Sequence, residues 1–243
     1  MLGKLKVKYI QSLGQKKLRD TEGVFIAEGP KIITELLLAK NAEIKQIFAL
    51  KQWMDLHITG HRKIETIEVS EEELGKISQL TTPNQALAIV KKFDEPVINA
   101  KATITLVLDA IQDPGNLGTI IRIADWFGVE QIVCSNDCAD MYNPKVVQST
   151  MGSIARVKVL YTDLAGWLAA QKNVRTYAAT LDGQDIATMK KINEGIVIIG
   201  NESKGISEEM MKLANVKITI PKKGKAESLN AAVAAGVILS HIV

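Results

Sequence analysis

Cysteine is scarce in this chain: Cys134 and Cys138 are the only two, and none of the three histidines stands near them. That excludes a disulfide framework and a zinc site of Cys–His spacing, and leaves two ordinary reduced thiols. Long apolar runs are missing too. No stretch approaches a membrane span, and Met1-Leu2-Gly3-Lys4-Leu5-Lys6-Val7-Lys8 puts lysines where a secretory signal needs an unbroken apolar segment, so a cytoplasmic location is expected. There is no internal repeat and no low-complexity segment, which excludes a solenoid or an array. Trp53, Trp126 and Trp167 are scattered, so no aromatic platform for stacking single-stranded bases is indicated; Trp126, beside Phe127, is expected in the core or at a dimer interface. His57 and His61 have helical ligand spacing, but Gly60 lies between them and no supporting carboxylate follows. A loop is expected there, and no metal is assigned.

What the chain does have is enough apolar content for a core: 47% of 243 residues, sufficient for one large domain or two smaller ones. A net charge of +3 is too mild to establish a nucleic-acid partner, but the charge is unevenly spread. Lys4, Lys6, Lys8, Lys16, Lys17 and Arg19 precede the first acid, and Lys222, Lys223 and Lys225 form a second cluster. Both could meet phosphates, although charge runs alone favour a solvated basic surface.

The pattern divides into two α/β parts. Residues 1–93 read as a small alternating module: a strand Val24 to Ala27, a turn Glu28-Gly29 with Pro30 opening a helix through Leu38, and strands Ile44 to Ala49 and Thr66 to Val69. Ser70-Glu71-Glu72-Glu73 forms a capping-box start for a helix to about Ile77, and Ala86 to Val90 is one more strand. Residues 94–102 read as a linker. From 103 to 243 the strands become uniformly apolar: Ile104 to Leu108, Gln131 to Cys134, Val174 to Ala179, Ile196 to Ile199 and Lys217 to Ile220. With helical stretches between them, that pattern predicts a parallel sheet covered on both faces.

Ligands of open α/β sheets gather at the carboxyl ends of strands, and three loops there carry unusual residues. Asp109 to Gly118 leads into a helix whose apolar stripe is Leu117, Ile120, Ile121, Ala124 and Phe127, leaving Arg122 away from the stripe. On spacing alone Arg122 is an ordinary surface arginine. The second loop, Gly200-Asn201-Glu202-Ser203-Lys204-Gly205, has glycines for a tight turn before a helix capped by Ser207. Neither loop is a Walker A sequence or a G-x-G-x-x-G dinucleotide fingerprint. The third, from Ile220 through Lys225 to Asn230, feeds a helix almost wholly apolar to Val243, with Ser228 expected as its N-cap. Unpaired N–H groups at that helix start suit a polar or anionic ligand.

Taken in order, PGNLGTIIRIADWFGV, IVIIGNESKGIS and ITIPKKGKAESLNAAVAAGVILSHI resemble the three motifs of the SpoU (TrmH-type) branch of SPOUT RNA methyltransferases. Asn143-Pro144-Lys145-Val146-Val147 and Met151-Gly152-Ser153 resemble the segment between the first two motifs. Phe25 to Gly29 and Thr81-Thr82-Pro83 resemble the family's substrate-binding domain. The resemblance implies a C-terminal parallel-sheet domain with a deep trefoil knot, which general rules of chain topology would have argued against. It further implies S-adenosylmethionine bound in a bent shape, active sites built at a homodimer interface, and methylation of a ribose 2'-hydroxyl in structured RNA.

Carried over by motif, Thr180, Leu181, Gly200, Ile220 and Leu229 would hold the donor, while Asn116, Glu202, Ser228 and Asn230 would fix the geometry of the active site. Arg122 would engage substrate phosphate or ribose. A guanidinium is essentially always protonated, so orienting phosphate and stabilising alkoxide charge suit it better than acting as a base. Ser203, Lys222 and Gln148 depart from the family's usual residues, and the last two bear on RNA contacts. An N-terminal module favours ribosomal over transfer RNA as substrate. A transfer RNA enzyme is the nearest alternative, and a catalytically silent RNA-binding or ribosome-assembly protein on the same fold is a third, opposed by the intact polar set.

Overall fold

A computed structural model describes residues 2–58 and 64–243, so His61 of the His57/His61 pair lies outside the described residues. The chain packs as two compact units. The first comprises Met1–Asp94 and also Tyr142–Ala155; the second comprises Glu95–Met141 and Arg156–Val243.

In the first unit, helices α1 (Lys4–Ser12) and α2 (Lys16–Glu22) precede β1 (Val24–Glu28), α3 (Pro30–Leu38), β2 (Ile44–Ala49) and α4 (Lys51–His57). Then come β3 (Glu65–Glu68), α5 (Glu71–Ile77) and β4 (Ala86–Lys91). The sheet order is β1-β4-β2-β3, with only the β2–β3 pair parallel. Local chemistry sets the helix starts. Pro30 stands in the first turn of α3, and Ser70 and Glu73 form a reciprocal capping box at α5, as the sequence predicts. Ile10, Leu13, Ile26, Phe48, Leu74, Ile77 and Leu87 meet in one apolar cluster under the helices.

The basic N-terminal run is less available to a ligand than its composition implies. Arg19 is 1% exposed, and its Nη1 donates to the carbonyls of Leu13 (3.0 Å) and Gly14 (2.7 Å) just past the C-terminus of α1. Lys6 donates to Gln46 at 2.5 Å and lies over the rings of Tyr9 and Phe48. Lys4, Lys8, Lys16 and Lys17 face solvent.

Tyr142–Ala155 comes from inside the 103–243 stretch yet packs with this first unit. Its helix, Pro144–Thr150, is capped by Asn143 and buries Val146, Val147 and Thr150. The Tyr142 ring sits 5.0 Å from that of Phe25, and Asn41 Nδ2 donates to the Ala155 carbonyl at 3.0 Å.

The second unit is a six-stranded sheet, entirely parallel, in the order β10-β8-β9-β5-β6-β7. Its elements are β5 (Ile104–Asp109), α6 (Pro114–Trp126), β6 (Gln131–Cys134), then, after α7 (the Pro144–Thr150 helix above), β7 (Lys158–Tyr161) and α8 (Leu164–Ala170). β8 (Thr176–Asp185), β9 (Gly195–Gly200), α9 (Glu208–Leu213), β10 (Val216–Thr219) and α10 (Ala231–Ile242) complete it. β5 and β6 are buried at every position and β9 at all but its last, as expected of central parallel strands covered on both faces. β7 was not expected from the sequence: it is a four-residue edge strand with only Val159 buried. Among the described residues no helix is long and apolar enough to cross a membrane, and no group of three His, Cys, Asp or Glu side chains could hold a metal.

Candidate active site

The loops that follow β5, β9 and β10 at their carboxyl ends converge on one chain of side-chain hydrogen bonds. Asp113 caps α6 by accepting the Asn116 N–H at 2.8 Å, which places Asn116 in the first turn. Asn116 Nδ2 donates to the Glu202 carboxylate, and Asn116 Oδ1 accepts from Asn230 Nδ2 at 2.8 Å. Asn230 Oδ1 in turn accepts from the N–H groups of Ala232 (3.0 Å) and Val233 (3.2 Å) at the start of α10. Every amide end is committed. The helix N-terminus fixes the orientation of Asn230, and the carboxylate fixes that of Asn116, which only donors can face.

This geometry corrects the expected cap of the last helix. Asn230 is the N-cap, two residues beyond Ser228, because its carboxamide reaches two backbone N–H groups while its amino end reaches Asn116. Ser228 lies in the exposed stretch 221–230 and makes no hydrogen bond among the described residues. Arg122, six residues after Asn116 and so about 9 Å further along α6, is exposed and makes no ion pair or hydrogen bond among the described residues. Trp126, which ends α6, is 84% exposed; a core position is thereby excluded.

The second loop is organised by Asn201. Its backbone pairs with that of Gly205, its Oδ1 accepts from Ser203 N (2.9 Å) and Lys204 N (3.1 Å), and its Nδ2 donates to the Ala110 carbonyl at 2.8 Å. A Cβ on Gly200 would lie 2.3 Å from the Gly205 carbonyl carbon, so the turn closes only with glycine there. Buried Asp109 accepts from Ser207 N at 2.7 Å, a second tie between the loops after β5 and β9. Asn201 and Asp109 stand in loops the sequence singles out but have no role assigned from it, though an asparagine directly after a strand is a recognisable Asx-turn signal.

Thr180 and Leu181 sit in an irregularity of β8. β10 pairs Val216 and Lys217 with Tyr177 and Ala178, then Ile218 and Thr219 with Gln184 and Asp185, so Ala179–Gly183 bulges out of register. Thr180 Oγ1 donates to the Ile218 carbonyl at 3.5 Å, whereas Leu181 is 76% exposed. A Cβ on Gly183 would come within 2.6 Å of the Lys217 carbonyl carbon. Ile220 is half-buried and Leu229 is 47% exposed. Large apolar side chains left open in a strand bulge and a loop are the kind of surface a ligand's flat ring covers.

Comparison with known proteins bears on the family and the fold. The family model described as SpoU rRNA Methylase family matches residues 103–240, and that described as MRM3-like substrate binding domain matches residues 4–88. The chain is 30% identical, over 98% of its length and 95% of the relative's, to 23S rRNA (guanosine(2553)-2'-O)-methyltransferase RlmP of Bacillus subtilis. It superposes on a TrmH-family protein from Porphyromonas gingivalis with a TM-score of 0.88 at 32% identity, covering 99% of this chain and 98% of that one. An AdoMet-bound rRNA methyltransferase from Sinorhizobium meliloti matches with a TM-score of 0.87 at 30% identity, covering 99% and 95%.

Proposed function

This chain belongs to the SpoU rRNA methylase family, and from that premise we propose that it methylates a ribose 2'-hydroxyl of ribosomal RNA with S-adenosylmethionine as donor. The observation that carries the reading is the hydrogen-bonded chain Glu202–Asn116–Asn230, which joins residues from all three motif loops at one place. S-adenosylmethionine, when bound, supplies an electrophilic methyl group on a sulfonium. The residues present fit such a donor: open apolar side chains at Leu181 and Leu229 suit an adenine face, and the close Gly200–Gly205 turn leaves no side chain at Gly200 to fill the space beside it. Thr180 and Ile220 complete the set assigned to it.

Methyl transfer to an alcohol needs the oxygen held in line and its proton removed. Glu202, Asn116 and Asn230 form a preorganised polar wall that holds the loops in one arrangement, with Ser228 in the flanking loop as the remaining polar contact. Arg122, uncommitted and charged, grips the RNA phosphate and stabilises charge developing on the 2'-oxygen. The N-terminal unit, with exposed Lys4, Lys8, Lys16 and Lys17, binds folded RNA, and a ribosomal target is favoured by the match of residues 4–88 to a substrate-binding domain. The reading includes the trefoil knot, a cytoplasmic location, and a homodimer in which exposed Trp126 and half-exposed Val233 of α6 and α10 are covered.

Mapping 2'-O-methyl groups across total RNA from cells with and without the protein tests the function directly. Loss of one ribosomal site is expected; an unchanged map would sink the reading. Light scattering at micromolar concentration checks the dimer, which a monomer mass would refute.

A further inference from the structure

We infer that Ser135 and Cys138, in the turn after β6, are positioning residues for methyl transfer, acting through the Ala110 backbone on Asn116 and Glu202. The inference rests on the reading of those two as active-site residues, and it assigns a role to a turn outside all three motifs.

Ala110 is the first residue after β5, at the head of the loop that ends at Asn116. Its φ is +58°, in the left-handed region that residues with a Cβ seldom occupy. Such a conformation persists only where neighbours over-determine it, and here they do. The Ala110 N–H donates to Ser135 Oγ at 2.9 Å, and its carbonyl accepts from Asn201 Nδ2 at 2.8 Å. The next residue is held in the same way. Ile111 N donates to Cys138 Sγ at 3.2 Å, and the Ile111 carbonyl accepts from Ala139 N at 2.9 Å.

The holders are themselves held. Ser135 Oγ donates to Asp137 Oδ1 at 2.5 Å, and the Cys138 thiol donates to the Leu108 carbonyl at 3.3 Å. Cys138 therefore both donates and accepts, so a hydroxyl could replace its thiol but an alkyl group could not.

The consequence reaches both sides of the site. Three residues beyond Ala110, Asp113 caps α6 and sets Asn116. On the other side of the same residue, the Ala110 carbonyl holds Asn201, which immediately precedes Glu202. A shift at Ala110 displaces the loop that carries the donor and the loop that carries the acceptor of the Asn116–Glu202 hydrogen bond, and so misaligns that one bond. An error of about 1 Å at a reacting constellation costs up to about a hundredfold in rate.

The test measures single-turnover rate at saturating RNA and donor, with donor affinity by calorimetry, for S135A, C138V, C138S, N116A and S135A/N116A. S135A and C138V are expected to slow transfer about tenfold or more with donor affinity changed less than about twofold. C138S should recover most of the rate lost in C138V. In the N116A background S135A should add less than about twofold, because the Asn116–Glu202 hydrogen bond that it aligns is already gone. Folded S135A with parental rate, or an equal loss in both backgrounds, would overturn the proposal. If S135A does not fold, the C138V and C138S pair decides: equal rates refute it. Parental turnover by N116A would instead remove the underlying reading of the site.

Discussion

Asn116 and Asn230 stand 114 residues apart and share a 2.8 Å hydrogen bond, with Asn230 Nδ2 donating to Asn116 Oδ1. Each lies at the start of a helix, so the bond ties the beginning of α6 to the beginning of α10. One side chain therefore serves stability and the site at once, and the two can be separated by substitution.

Asn230→Ser keeps an oxygen to cap α10 but loses the amino donor. It should leave the melting temperature nearly unchanged while lowering kcat about a hundredfold, the usual cost of one positioned donor. Asn230→Ala should lose the cap as well, about 1 kcal/mol of stability. Thermal melts and turnover measured together check this; equal stability losses in both variants would count against the assigned cap.

Arg122→Ala should raise the KM for RNA and lower kcat, with donor affinity unchanged, because the exposed guanidinium has no structural partner to abandon among the described residues. Arg122→Lys should restore charge but not the two-pronged phosphate grip, and so recover only part of the loss. Turnover near parental in both variants would refute its role.

Gly183→Ala and Gly200→Ala drive a Cβ into backbone at 2.6 Å and 2.3 Å, and each should weaken donor binding about tenfold or more. Gly224→Ala meets nothing within 4 Å and serves as the control. Calorimetric titration with S-adenosylmethionine distinguishes them.

Glu28 is buried beside Ser78 and Gln79, whose hydroxyl and N–H donate to its carboxylate. Burial raises its pKa, only partly opposed by those bonds. The folded state thus favours the protonated form, a contribution fully present below the ordinary carboxylate range and lost as pH rises through the elevated folded value. Stability of the N-terminal unit should fall across that window, and Glu28→Gln should flatten the fall. Denaturant titrations between about pH 4 and pH 7 measure it; an unchanged slope in Glu28→Gln would show that another group titrates.

Where a residue's local chemistry decides, the sequence was legible. Pro30 and the Ser70–Glu73 box mark their helices, and the apolar runs of β1, β5 and β9 mark their strands. What escaped depends on distant partners. Ser228 and Asn230 are both good caps, and only the position of Asn116, far away in the chain, selects the second. The β8 bulge is a property of its register against β10, and the burial of Arg19 depends on where α1 happens to end. β7 is short and half-covered at the sheet edge, so its four residues carry too little pattern to stand out.

The packing of Tyr142–Ala155 with the N-terminal unit bears on how such proteins can be recombined. Exchanging recognition modules between relatives at residue 94 would separate Phe25 from Tyr142 and leave Val146, Val147 and Ile154 facing a surface shaped for other side chains. A viable hybrid has to carry both stretches. The N-terminal unit and a portion of the sequence beyond it thus have to be exchanged as one piece.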